Sequence, residues 1–134
     1  LTLGGGSDTV AYGTTNNAAN ANNITAFTAG SGGDIIEIDA TAYGYAAGTP
    51  TVVAIGAVAA GTGAAATARN IIVDTAANIN ADKSANYGGA ALAYDTTNNR
   101  IIFDADGNFT AGSVVIGTVG TLTGTLDANN FTID

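Results

Sequence analysis

Apolar and polar residues alternate with the period of a strand along most of this chain, in short runs parted by Gly-, Asn- and Thr-rich stretches. Leu1-Thr2-Leu3 alternates. Asp8 to Tyr12 alternates again, with Val10 and Tyr12 on one face. Asn23 to Phe27 reads as a short strand with a bend or a strand end, because Ile24 and Phe27 are out of step. Asp34 to Asp39 is the clearest half-buried strand of the first third, with Ile36 and Ile38 on one side and Glu37 and Asp39 on the other. Thr51 to Val58 is apolar on both faces, the pattern of a strand buried on both sides. Arg69 to Asp74, Ala90 to Asp95, Arg100 to Asp104, Ser113 to Val119, Thr121 to Leu126 and Asn130 to Asp134 complete the set, with Thr96 to Asn99 as a hairpin connection and Gly120 as a break. Thr14 to Asn23 reads as a surface loop and Ala40 to Thr49 as a connection. Ala59 to Ala68 reads as a flexible loop or as a short helical turn around Ala64-Ala65-Ala66, and the loop is favoured because Gly61 and Gly63 oppose a helix. Thr75 to Tyr87 is the one helical candidate, stopped by Gly88-Gly89.

The sum is about ten short strands. It predicts an all-β fold, a β-sandwich or β-roll-like pair of stacked sheets, with at most one short helix. The length of 134 residues fits a single β domain over 1–134. Within it, 1–39 holds turn–strand units, 40–89 is an insertion-like middle, and 90–134 forms terminal hairpins and a cap.

Composition narrows the picture. Apolar residues are 46% of the chain but mostly small, with no Trp and no Met, so the core is expected to be thin and β-branched. Three basic against eleven acidic residues leave a net charge of −8, too few cations to neutralise a nucleic-acid backbone or to hold an anionic membrane. Cys and His are both absent, which removes disulfides, thiolate and imidazole metal sites, and Ser-His-Asp or Cys-His catalysis. An apolar run of the roughly 20 residues that a bilayer needs is also lacking. Low charge, no sulfur and abundant Thr, Asn, Gly and Ala suit a bulk secreted protein. The chain begins at Leu1 rather than Met, and the expectation is a C-terminal portion of a longer secreted polypeptide.

Two turns carry the candidate chemistry. Gly4-Gly5-Gly6-Ser7-Asp8-Thr9-Val10 and Gly30-Ser31-Gly32-Gly33-Asp34-Ile35-Ile36 both fit G-x-G-x-D-x-U, where U is a large apolar residue. Glycines permit the tight turn and expose carbonyl oxygens, while the aspartate adds a carboxylate. Gly4, Gly6, Asp8, Gly30, Gly32 and Asp34 are therefore candidate ligands for a hard cation, above all calcium. The plainer alternative is two ordinary Gly-rich turns before strands. Asp104-Ala105-Asp106-Gly107-Asn108 is a third oxygen-rich turn, with Asp104, Asp106 and Asn108 as candidate ligands. It lacks the downstream bidentate Glu of an EF-hand, and an Asx-rich hairpin turn is the alternative. Glu37 and Asp39 match a glycosidase pair in residue type alone; nothing places a second carboxylate at a catalytic separation, and a solvated strand face is the favoured reading. The five tyrosines read as packing residues, with a sugar-binding platform as the other option. Asn23, Asn108 and Asn130 each open an Asn-x-Thr triplet, a possible glycosylation signal that an Asn/Thr-rich chain also produces by chance.

Several segments, in order, resemble one family. The turn before Asp8-Thr9-Val10-Ala11-Tyr12, then Asn23-Ile24-Thr25-Ala26-Phe27-Thr28-Ala29-Gly30, then Gly33-Asp34-Ile35-Ile36-Glu37-Ile38 are similar to the end of the RTX calcium-binding repeat proteins, where a β-roll runs into a cap. Ala90 to Asp95, Arg100 to Gly107 and Leu126 to Phe131 look like that family's terminal hairpins. The resemblance spans most of the chain outside 43–68. Consecutive nine-residue repeats are missing. Leu3 and Ala29 stand where the repeat has its first glycine, and Ala26 where the cap has an aspartate. The resemblance implies type I secretion, folding on extracellular calcium and, in many members, bacterial surface layers. Other members are proteases, lipases and toxins.

The resulting expectation is a secreted structural subunit with no enzyme activity of its own. It assembles with its own copies into a surface layer or filament, with calcium assisting. A cell-surface polysaccharide is a further possible partner. Leu1-Thr2-Leu3 and Phe131-Thr132-Ile133 are read as poorly guarded edge strands, and deletion of 1–3 or 130–134 is expected to leave a folded monomer that does not assemble. The alternative is a calcium-binding secretion and folding module of a larger toxin, hydrolase or adhesin.

Overall fold

The computed structural model describes residues 1–13, 17, 19–58, 64–81, 89–109 and 112–134. Among these, the strands are β1 (Thr9–Tyr12), β2 (Asn22–Thr28), β3 (Ile35–Ile38), β4 (Thr51–Val53), β5 (Asn70–Asp74), β6 (Ala91–Asp95), β7 (Arg100–Asp104), β8 (Val114–Thr123) and β9 (Phe131–Ile133). Three short helices, α1 (Ala40–Tyr43), α2 (Ala64–Thr67) and α3 (Ala76–Ala81), lie between them. The fold is mainly β, built from two sheets.

The smaller sheet has the order β1-β3-β9 and is parallel throughout. The larger has the order β2-β8-β7-β6-β5-β4, with an antiparallel centre (β8-β7-β6) and parallel pairs at both ends. The chain passes from one sheet to the other and back: β1 in the small sheet, β2 in the large, β3 in the small again. One such circuit sets Thr9 beside Ile35 and Tyr12 beside Ile38. A second layer repeats the step, because β8 pairs with β2 and β9 with β3, Val119 beside Ile24 and Phe131 beside Ile36.

Period-two alternation divides the buried side chains between two cores. Val10, Tyr12, Ile24, Phe27, Ile36, Ile38, Phe131 and Ile133 of both sheets meet in the first. On β5, β6 and β7 alternate residues go opposite ways: Ile71, Leu92, Tyr94 and Ile101 into that core, and Ile72, Ala91, Ala93 and Ile102 into a second one. The second core is closed by Ile55, Val58, Ala65 of α2 and Ile79 of α3. Small helices thus cover the far face of the large sheet, which explains why β6 is buried at every position.

Several sequence expectations change. The structure has three α-helices where at most one was expected. Asp39 caps α1 by accepting from the Ala42 amide (2.9 Å), and Gly44 ends it at φ 68°. Part of the loop favoured over 59–68 is α2, the alternative helical turn around Ala64-Ala65-Ala66, with Ala65 (0% exposed) in the second core and Ala66 in the first. The helix expected over Thr75 to Tyr87 is observed as α3, its later part lying outside the described residues. The strand expected over Thr51 to Val58 stops at Val53 and gives way to a 3₁₀ turn at Ile55–Ala57. Gly120 does not split the strand around it. β8 runs straight through, and its glycines serve close packing: a side chain at Gly117 would strike the Tyr12 ring and one at Gly120 the Thr25 carbonyl.

Candidate functional site

Both Gly-Asp turns lie between the sheets' ends, stacked one on the other, each leading into a strand of the small sheet. The spacing of 26 residues between Asp8 and Asp34 is one circuit of the chain. The Asp8 amide donates to Asp34 Oδ1 (3.0 Å), and the Thr28 amide donates to Asp34 Oδ2 (2.8 Å). The Ile35 amide donates to the Asp8 carbonyl (2.8 Å). Gly4 N–H donates to Asp8 Oδ2 (3.0 Å), and Ser7 Oγ donates to the Gly33 carbonyl (2.6 Å). Positive φ at Gly6 (106°), Gly30 (97°) and Gly32 (78°) makes these turns glycine positions. Gly33 is needed for a different reason: a Cβ there would run into the Thr28 carbonyl.

Asn130 continues this stack into the second layer; the sequence offered it as the start of an Asn-x-Thr triplet and not as a bridge between turns. Its Oδ1 accepts from the Gly30 amide (2.9 Å) and the Asp127 amide (3.1 Å), and its Nδ2 donates to the Asp34 carbonyl (2.9 Å). It is fully buried, as Asp34 nearly is. The available signal was the Asp127-Ala128-Asn129-Asn130 run just before an apolar strand, which matches a capping box in which Asp127 and Asn130 exchange hydrogen bonds.

The third oxygen-rich turn is well apart in the fold, at the end of β7. Asp104 is buried (1% exposed) and Asp106 is exposed. Asp104 Oδ1 accepts from the amides of Asp106 (3.0 Å) and Asn108 (3.2 Å), and Asp106 Oδ1 accepts from the Asn108 amide (2.9 Å). Asp104 Oδ2 is buried without a hydrogen-bond donor. Burial, and then contact with the Asp106 carboxylate, push the Asp104 carboxyl above the usual range. Asp106 is held below it by that contact and by the Asn108 amide.

The next hairpin turn contains Asp95, buried completely. It accepts from the amides of Thr97 (2.9 Å) and Asn98 (3.2 Å), from Asn98 Nδ2 (2.8 Å) and from Arg100 Nε (2.8 Å). Burial alone would raise its pKa, but these donors outweigh burial and hold it below the usual range. This is a structural anchor for the β6–β7 hairpin, and the sequence pattern did not single it out.

Glu37 and Asp39 open onto a cleft of about 290 Å³ at the ends of β1 and β3, with Ala11, Tyr12, Gly13 and Asp134. Asp39 is already occupied as the cap of α1. Among the described residues, no three Asp, Glu, His or Cys side chains converge as a metal-holding group. The tyrosines pack as expected of core residues: Tyr12, Tyr43, Tyr45 and Tyr94 are buried, Tyr45 Oη bridges the Asn70 carbonyl and the Leu92 amide, and Tyr43 meets Phe103 edge-on at 4.9 Å. Tyr87 lies outside the described residues.

These features define a mainly-β protein whose stacked turns are tied by carboxylate and carboxamide side chains. No family model, curated protein or solved structure matches this chain.

Proposed function

We propose that the protein is an extracellular structural subunit that assembles with its own copies into a surface layer or filament, with calcium assisting, and that it has no catalytic role. The roll-like part of the fold supports this reading, since each circuit lays a parallel strand on the one before it. The observation that carries it is the open end of that stack. Among the described residues β1 pairs with β3 alone, and its four residues Thr9, Val10, Ala11 and Tyr12 include no charge. Beside it, Leu1 lies along the edge of β2: its amino group donates to the Asn23 carbonyl (2.5 Å), and its carbonyl accepts from the Thr25 amide (2.8 Å). Leu1 is also the exposed large hydrophobic residue among those described, at 61%. An uncharged edge of this kind accepts a strand from a neighbour, and a head-to-tail contact that does not close gives a filament or lattice. A surface polysaccharide is a further partner in this reading.

Electron microscopy of the purified protein with millimolar calcium and with a chelator tests it. The expected result is polymers, fewer under chelation, and dispersed particles for a chain lacking 1–3. Dispersed particles from the intact protein at high concentration with calcium would refute the assembly reading.

The same stacked Gly-Asp turns support a second reading, a calcium-binding secretion and folding module within a larger toxin, hydrolase or adhesin. In that case calcium would govern folding and export, and the intact chain would stay dispersed.

A further inference from the structure

We propose that the turn after β7 holds one divalent cation of the calcium class between the Asp104 and Asp106 carboxylates. The proposal sharpens the calcium part of the reading above and is independent of assembly. It begins with an imbalance. Asp104 is 1% exposed, and one of its carboxylate oxygens, Oδ2, has no donor. A buried acceptor left unpaired costs about 1–3 kcal/mol, more when it is charged. The other oxygen is fixed by two backbone amides, those of Asp106 and Asn108, so the carboxylate is held in place and Oδ2 is oriented rather than free to turn away.

The neighbour of this carboxylate is a second one. Asp106 contacts Asp104 through its side chain, which puts two like charges together. Two species relieve such a pair: a proton shared between the carboxyls, or a cation bound by both. Among the described residues no basic side chain is assigned to the place. Arg100 is committed to Asp95 (2.8 Å), and Arg69 donates its Nε to the Thr49 carbonyl (3.1 Å). Lys83 lies outside the described residues.

The turn is also built like a cation loop. Gly107, at φ 73°, takes the sharp bend, and the Asp106 carbonyl is tied to the Gly89 amide (3.2 Å). Hard oxygen ligands without nitrogen or sulfur select calcium or magnesium rather than a transition metal. Two carboxylates leave most of the six to eight calcium positions to water and carbonyls, so the affinity belongs in the weak extracellular range, about 10⁻⁴–10⁻³ M. The Gly-Asp turns differ on this point: both Asp34 carboxylate oxygens already accept backbone amides.

Equilibrium dialysis of chelator-stripped protein against radiolabelled calcium tests the site, and it reads monomer and polymer alike. The wild type is expected to bind calcium with a dissociation constant of about 10⁻⁴–10⁻³ M, and Asp106→Asn at least about tenfold more weakly. Asp106 is exposed, so this variant keeps the fold. Asp104→Asn, which retains the Oδ1 acceptor of the two amides, is expected to lose the site as well. Asp8→Asn is expected to leave it intact. Calcium binding unchanged in Asp106→Asn would overturn the assignment. So would a wild type that binds no calcium while Asp104→Asn raises its melting temperature, since a shared proton would then be what fills the turn. Polymers that form normally in Asp106→Asn would leave the assembly reading standing, so the two can fail separately.

Discussion

Buried carboxylates and carboxamides in this protein serve the backbone. Asp34, Asp95 and Asn130 each sit at a turn, and each takes the amides that the turn leaves without a strand partner. Asp34 joins three segments, since its carboxylate holds Asp8 and Thr28 and its carbonyl accepts from Asn130. Replacing Asp34 by Ala leaves two part-buried amides, those of Asp8 and Thr28, without an acceptor. Hydrogen bonds to charged groups contribute about 1.5–3 kcal/mol each, and the loss is expected to be about 2–4 kcal/mol after relaxation. Asp34→Asn keeps one acceptor oxygen and is expected to fall between. Urea unfolding of both variants would measure this, and an Asp34→Ala protein as stable as wild type would show that the turn stack contributes nothing. The glycine–aspartate pattern marked Asp8 and Asp34 as residues of tight turns that lead into strands, while their hydrogen bonds from one turn to the next were not legible in it. Asn130 and Asp95 were not readable, since Asn and Asp are common in this chain and nothing local distinguishes a bridging one.

Elements with local signals were the legible ones. β3 follows the period-two pattern, β5, β6 and β7 are short apolar runs ending in Asp, and the β6–β7 hairpin follows from the polar run between them. What the local pattern does not encode is which distant strands pair: β2 with β8, or β3 with β9. That decision lies in long-range packing, and packing also decides α2: Gly61 and Gly63 favoured a loop, yet Ala65 and Ala66 are buried in a helical turn. The final segment shows the consequence. Read as a detachable edge, 130–134 is in the structure the last strand of the small sheet, with Phe131 (4%) and Ile133 (3%) in the first core and Asn130 inside the turn stack. Burying those two side chains is worth about 3–6 kcal/mol, against a total stability of about 5–15 kcal/mol for a domain. Deleting 130–134 is therefore expected to unfold most of the protein, not to yield a folded, non-assembling monomer. Circular dichroism and thermal melting of the truncated chain check this: a cooperative transition near the wild-type temperature would contradict it.

At the scale of the whole molecule, the question is which of the sheet edges are open. The outer side of β9 is partly covered, because Gly48 N–H donates to the Ile133 carbonyl (2.8 Å) in an antiparallel bridge. The outer side of β2 is partly covered by Leu1. Among the described residues the edge of the small sheet without a strand partner is β1, where the side chains of Thr9 and Ala11 point outward and those of Val10 and Tyr12 inward. Natural edges are protected by lysine, and this one has none. Thr9→Lys with Ala11→Lys adds two charges to exposed positions that make no core contact, so stability should change by no more than about 0.5 kcal/mol at each site. A copy trying to pair with that strand would then have to desolvate the charges. The double variant is expected to melt like wild type and to remain dispersed in calcium under the microscope, while Lys placed at exposed Thr96 and Thr97 in the β6–β7 turn leaves polymers intact. Polymers of normal length from the double variant would remove β1 from the assembly contact and leave the β4 edge of the large sheet as the place to look.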